Sequence, residues 1–394
     1  MSGPPDNVPP RISWLLAVVG VPATVYLAIT QHPLQAIVLG MLCGVIYIAK
    51  DIWQKEFQND FVQAIADCIR SVRYFPSRWW YQGYYCKRLR KVYDSVQEPS
   101  FAPSREFELS SPELEQIFIE PLVSRKLPKE SRVDSDKKPI QHYFASDPKP
   151  LVILGGLGMG KSILMQHIAL MLVNRKKRQE WEVSYKLPFY LSLGLSEFVD
   201  KLKENKELSL ADALEVAIKM RWKQPPPEWI ERRLKKEPCL ILLDGLDEVA
   251  DSDIRKQVVR WIQHQIDTYD KSRFVITSRP TIYRDNPLEK VSLLEMQRFN
   301  SEQIDKFIDN WYNVSTYNSI SAKKLKDELH KSKYRLHHLA CIPLLLRMII
   351  IVHQYRDELP ESRIQLYEGI FEVYLGERWR WREASQDNGV LSVE

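Results

Sequence analysis

Four consecutive apolar residues, Leu151–Leu154, run directly into Gly155-Gly156-Leu157-Gly158-Met159-Gly160-Lys161-Ser162, and an apolar segment of helical period follows. No other feature of this 394-residue chain restricts its fold so tightly. The apolar run predicts a buried strand and the segment near 161–175 a helix, so the glycines must turn the chain sharply between them. Glycine lets successive backbone N–H groups point inward with no side chain in the way, which makes a nest for an anion. The helix behind it presents its positive end to the same anion. Lys161 is placed to reach the outer oxygens of a polyphosphate, and the Ser162 hydroxyl to ligate magnesium beside it. A plain flexible turn before a helix is the competing reading. The strand–loop–helix order favours the phosphate cradle, formed by Gly155, Gly156, Leu157, Gly158, Met159, Gly160, Lys161 and Ser162.

A second apolar run, Cys239–Leu243, ends in Asp244-Gly245-Leu246-Asp247-Glu248. A continuous apolar strand belongs in a parallel sheet covered on both faces. With its tip beside the glycine loop, Asp244 stands where a second magnesium ligand is needed. Asp247 and Glu248 are then placed to order and polarise an attacking water, and spacing does not decide which of the two is the base. A third run, Arg273–Thr277, ends in Ser278-Arg279-Pro280. Arg279 at that tip suits a group that stabilises charge on a transferred phosphoryl group, with an ordinary β-to-α turn as the alternative.

The rest of this half alternates short apolar runs with helical segments, the pattern of a parallel sheet with crossover helices. Strands are expected at Leu151–Leu154, Leu187–Leu193, Leu240–Leu243, Phe274–Thr277 and Val291–Leu294. Helices are expected near 161–175, 209–222, 227–236, 252–268 and 301–312. Ser209 with Asp212 resembles a capping box, and Asn300 with Gln303 a weaker one. Beyond about residue 320 the pattern is entirely helical. Upstream, residues 97–148 are rich in Pro, Ser and charge and read as a linker.

The N-terminal region has a different character. Ile12–Ile29 and Leu34–Ala49 carry no charged residue over 18 and 16 positions, and only Thr30-Gln31-His32-Pro33 separates them. Runs close to the ~20 apolar residues that span a bilayer, so closely joined, predict a transmembrane helical hairpin over 12–50. Lys50, Lys55, Arg70, Arg73, Arg78, Lys87, Arg88, Arg90 and Lys91 follow it, which places that side in the cytoplasm. A cleaved signal peptide fits less well, because a second apolar run follows at once. Residues 51–100 also hold Tyr74, Phe75, Trp79, Trp80, Tyr81, Tyr84, Tyr85 and Tyr93. Cations interleaved with aromatics suit single-stranded nucleic acid or a membrane surface, and the preceding hairpin favours lipid. The net charge of +5 is too modest to argue for nucleic acid, and the five cysteines show no spacing of a zinc or redox site.

Taken together, GGLGMGKS, LILLDGLDE and VITSRP, in this order, resemble the NACHT branch of the STAND signalling NTPases. Leu187–Leu193 resembles that family's second strand, Leu294–Asn300 its segment after the third, and Ile342-Pro343-Leu344-Leu345-Leu346 its helical-domain motif. The resemblance covers about residues 150–380, with Gly245 and Leu246 setting Asp244 apart from Asp247-Glu248. It implies an α/β fold: a P-loop NTPase parallel sheet flanked by helices over 150–315, then a helical domain over 316–383. The two-helix transmembrane hairpin precedes it, with a tail at each end, 1–11 and 384–394, and the linker over 101–149.

The resemblance further implies Mg-ATP binding with slow hydrolysis to ADP, exchange of ADP for ATP on stimulation, and homo-oligomerisation. It makes Gly160, Lys161 and Ser162 phosphate and Mg²⁺ residues, Asp244 the second metal ligand, Asp247 and Glu248 catalytic, Arg279 the sensor, and Pro343 a neighbour of adenine. Two departures stand out. Ile342 occupies a position where the family often has Asn, and the sequence beyond 383 leaves no room for a complete winged-helix domain or sensor repeats. A nucleotide-binding scaffold without appreciable hydrolysis is the alternative function. The protein partner and trigger are unspecified.

Overall fold

Three strands of a computed structural model are buried at every position: β3 (Leu151–Leu154), β5 (Cys239–Asp244) and β6 (Arg273–Ser278). Strands so uniformly apolar need cover on both faces, and they form the centre of a seven-stranded mixed sheet. The structure describes residues 80–94, 113–125, 137–181, 183–314, 319–331, 336–356, 358–360 and 362–373. The chain divides into two compact units, Met1–Gln82 and Gly83–Glu394. The expected hairpin at 12–50 and the tails lie outside the described residues. Among the described residues no helix is long and apolar enough to cross a membrane.

The remaining strands are β1 (Leu122–Arg125), β2 (Lys138–Pro139), β4 (Leu187–Ser192) and β7 (Ser292–Met296). Their order is β2-β1-β7-β3-β6-β5-β4, with β7 to β4 parallel and β1 antiparallel to both β7 and β2. β7 alternates buried and half-buried positions, unlike the central strands. The two antiparallel strands correct the reading of 101–149 as a linker. Pro139 fits there because β2 is a two-residue edge, where a missing N–H donor costs little. Strands of four and two residues carry almost no periodic signal, so the proline-rich composition around them reads as loop.

The opposite edge, β4, is covered by the helix over 80–94. Tyr85, Leu89 and Tyr93 lie at four-residue spacing and are at most 2% exposed. The Tyr85 ring lies 5.2 Å from Trp222, 5.7 Å from Phe189 and 5.8 Å from Trp229. Its hydroxyl donates to the carbonyl of Pro188 at 2.9 Å. These tyrosines were expected at headgroup level; they are instead core residues of the sheet unit. Their helical period is the signal that separates the two readings.

Helix starts follow local chemistry. Ser209 accepts from Asp212 N at 3.1 Å and caps Leu210–Arg221. Asn300, the weaker motif, forms the full reciprocal box: its Oδ1 accepts from Gln303 N at 2.8 Å and its N–H donates to Gln303 Oε1 at 3.1 Å. At the far end of the sheet, buried Arg273 donates to the carbonyls of Tyr143, Phe144 and Asp147, at the C-terminus of the helix Ile140–Ser146. A cation there meets the negative end of the helix dipole. After the sheet come the helices Ser301–Val314, Ser319–Lys331, His337–Ala340, Pro343–Arg356 and Arg363–Phe371.

Candidate functional site

The parallel register sets the C-terminal tips of β3, β6, β5 and β4 in a row, with Leu154 opposite Ser278 and Ser192 opposite Asp244. Ligands of open α/β sheets bind in the crevice beyond such tips. Gly155-to-Gly160 occupies it, and the helix Lys161–Val173 starts immediately behind. Gly158 and Gly160 have φ of +74° and +85°, so the loop needs the left-handed region at both positions. Lys161 Nζ spans the loop, donating to Gly155 O at 3.0 Å and Gly156 O at 3.3 Å.

Lys161, Ser162, Asp244, Asp247, Glu248 and Arg279 line one cavity of about 190 Å³ together with Gly158 and Gly160 of the loop. The separately read motifs therefore converge. Burial pulls the Lys161 ammonium down, opposed by the nearby charges of Asp247, Asp244 and Glu248. Asp244 is 4% exposed, and each of its oxygens accepts one hydrogen bond. Thr277 Oγ1 donates to Oδ1 at 2.5 Å and Tyr190 Oη to Oδ2 at 2.6 Å. Thr277 Oγ1 also accepts from Gly245 N at 2.8 Å, which ties the β5 and β6 tips together. Burial and the Asp244 charge push the Tyr190 phenol well above its ordinary range, so it remains a donor.

The two following acids differ. Asp247 Oδ2 pairs with Arg279 Nε at 2.7 Å, and its Oδ1 is buried with no hydrogen-bond partner. Glu248 lies against two glycines: a Cβ on Gly245 would come within 2.6 Å of its Cδ, and one on Gly194 within 2.7 Å of its Cβ. Partial burial and the charges of Asp244 and Asp247 push the Glu248 carboxyl up. Gly245 also turns the chain at φ +78°, a left-handed conformation that favours glycine between Asp244 and the Asp247-Glu248 pair.

The donor set fits a hard cation. A buried carboxylate with a free lone pair on each oxygen, a hydroxyl on the facing helix start and an orphaned carboxylate oxygen are oxygen ligands of the kind magnesium takes. Ser162 and Asp244 would hold it.

A second cavity, of about 390 Å³ and mostly apolar, adjoins the first and shares Gly158, Met159, Gly160 and Ile163 with it. Its far wall is Leu114, Ile117, Phe118, Phe299 and Phe307, with Pro343, Leu344 and Arg347 closing it from the helical region. Phe118 is stacked on His167 with centroids 3.7 Å apart. Arg347 Nε is buried with no hydrogen-bond partner, and its guanidinium lies 5.5 Å over the Trp311 ring. Pro343, expected beside adenine, lines this cavity. Leu114–Phe118, Arg347, Tyr190 and the individual role of Thr277 escaped the sequence reading. For Tyr190 the available signal was a polar-tipped ring in an otherwise apolar strand, two residues before the tip.

Residues 149–314 match the family model described as NACHT domain. A shikimate kinase from Bartonella henselae is 25% identical over 158 residues, 39% of this chain and 66% of that protein. Among solved structures, the Aeropyrum pernix ORC2 protein in its ADPNP–ADP complexes aligns with a TM-score of 0.34 at 12% identity, covering 59% of this chain and 64% of that one. C. elegans PCH-2 aligns with the same TM-score and identity, over 59% of this chain and 61% of its own. All three alignments span less than two thirds of the matched protein, and the two structural likenesses are too distant to bear on function. The glycine loop, Asp244, Asp247, Glu248 and Arg279 all fall inside the stretch, 149–314, that matches the NACHT domain, a nucleotide-binding P-loop NTPase module.

Proposed function

We propose that this chain binds Mg-ATP and hydrolyses it slowly to ADP, as the switch of a membrane-anchored signalling protein. The observation that carries the nucleotide reading is the pair of adjoining cavities hinged on Gly158-Met159-Gly160, one apolar and one lined by cation and acids. A flat base fits the first and a polyphosphate the second. Lys161 exchanges the Gly155 and Gly156 carbonyls for phosphate oxygens, and the loop amides and helix start hold the rest. Magnesium, when bound, neutralises phosphate charge and fixes the outer oxygens. Glu248, which lines the same cavity while Asp247 is paired with Arg279, is the base that takes a proton from the attacking water. Asp247 orients Arg279, which offsets charge on the transferred group.

Adenine, rather than another base, is expected from the resemblance. The two apolar runs at 12–50 and the cations after them support anchoring with the NTPase unit on the cytoplasmic side. Clustering of copies in the ATP state would be the output. Alkaline extraction of membranes from expressing cells tests the anchor: release of the full chain into the supernatant removes it.

The test of the site is equilibrium binding of a fluorescent ATP analogue to the purified full chain. Lys161→Ala should abolish binding, and Asp244→Asn should abolish its dependence on Mg²⁺. Normal binding in both variants would sink the assignment. One observation favours the alternative, a scaffold that binds without hydrolysing: Arg279 Nε is turned to Asp247 Oδ2, at 2.7 Å. Single-turnover phosphate release separates the two, since no release over hours leaves only the scaffold.

A further inference from the structure

Asp244 ends β5, and Ser192 of β4 is its cross-strand partner. Tyr190 lies two residues before Ser192, so it shares that face of the strand. Its hydroxyl reaches Asp244 Oδ2 at 2.6 Å, while Thr277 holds Oδ1. With one bond to each oxygen, the carboxylate cannot rotate without breaking both, and each oxygen keeps one lone pair for a cation. The Tyr190 ring is itself held. The Tyr93 ring lies 5.3 Å away at 53°, the Arg221 guanidinium sits 5.9 Å over the Tyr190 ring, and Arg221 donates to Tyr93 Oη at 3.4 Å. Packing alone would be served at this position by phenylalanine, the residue one step earlier at Phe189, so the phenol marks a polar task.

We propose that Tyr190 is a positioning residue of the metal site, holding the Asp244 carboxylate in place to ligate magnesium, with Tyr93 and Arg221 fixing Tyr190 in turn. This rests on the Mg-nucleotide reading above. It makes the helix over 80–94, which lies outside the 149–314 domain match, a structural part of the magnesium site. Second-layer hydrogen bonds of this kind set ligand orientation, and their loss typically weakens metal binding by tens of fold at most.

The experiment titrates Mg²⁺ into full-length protein with a fixed concentration of fluorescent ADP, with a parallel nucleotide titration in EDTA. For Tyr190→Phe the Mg²⁺ midpoint should rise about tenfold, while metal-free nucleotide affinity stays at the wild-type value. Tyr93→Leu, which loosens the ring without touching Asp244, should shift the midpoint in the same direction by less. An unchanged midpoint in Tyr190→Phe overturns the proposal. Equal losses with and without metal also overturn it, because they indicate a general structural role. Asp244→Asn separates the two levels. If it shifts the midpoint and Tyr190→Phe does not, only the positioning role fails; if neither does, the metal-site reading fails as well.

Discussion

The backbone N–H of Leu344 donates to the carbonyl of Gly158 across 3.1 Å, joining the helical region to the tip of the glycine loop. A Cβ at Gly158 would lie 2.9 Å from Leu344 Cβ and 3.2 Å from Ile342 Cγ2. The conformation of the loop and the seating of the Pro343–Arg356 helix are therefore one structural variable.

Gly158→Ala should damage both at once. The positive φ and the clash together strain the site by about 1–3 kcal/mol. The expected outcome is a loss of nucleotide affinity of roughly tenfold or more, accompanied by faster protease cleavage near the start of that helix. Limited proteolysis with and without nucleotide checks it, and wild-type behaviour in both readouts would refute the coupling.

Glu248→Gln and Asp247→Asn should differ in kind. Loss of the Glu248 carboxylate leaves binding intact and slows single-turnover hydrolysis by about 10²–10⁴-fold. Loss of charge at Asp247 frees Arg279, so its main effect is on the dependence of hydrolysis on phosphate charge, with a smaller drop in rate. Equal defects in the two variants would reverse the assignment of Glu248 as base.

His167 is 8% exposed, its Nδ1 has no partner, and burial with the Lys177 charge depresses its pKa to about 3. The folded state holds it neutral, whereas the unfolded chain protonates it near 6.5. The unfolded state thus binds more protons between those values, and stability falls as pH drops below about 6.5. At pH 5 the contribution amounts to about 2 kcal/mol. His167→Leu should remove that slope, read from urea unfolding at pH 7 and pH 5. Parallel losses in variant and wild type would show that another group dominates.

Tyr85→Ala removes the ring at the centre of the Phe189, Trp222 and Trp229 cluster and the donor to Pro188 O. Large buried aromatics truncated to alanine cost about 3–5 kcal/mol. The expected result is a lowered denaturation midpoint with nucleotide affinity little changed below the transition.

The central strands and the glycine loop were legible because each carries a strong local pattern. Leu151–Leu154 and Cys239–Asp244 are apolar at every position short of the tip, and the loop's glycines are spaced by the geometry they serve. The residues that support the site were not legible, because their partners are distant in sequence. Tyr190 meets Asp244 across 54 positions, and Tyr85 meets Pro188 across 103. Phe118 sits in a stretch whose prolines mask a strand and a cavity wall. Composition there reports loop, while tertiary contact decides otherwise.

The two flanks of the sheet bear on how the protein can be dissected. A fragment trimmed to begin at Lys149 would lose β1 from the side of β7, and with it the 80–94 helix from β4. Both outer rows of backbone donors and acceptors would then be bare, an invitation to strand-to-strand aggregation. The smallest portion that behaves in solution should start before Gly83, well upstream of the glycine loop.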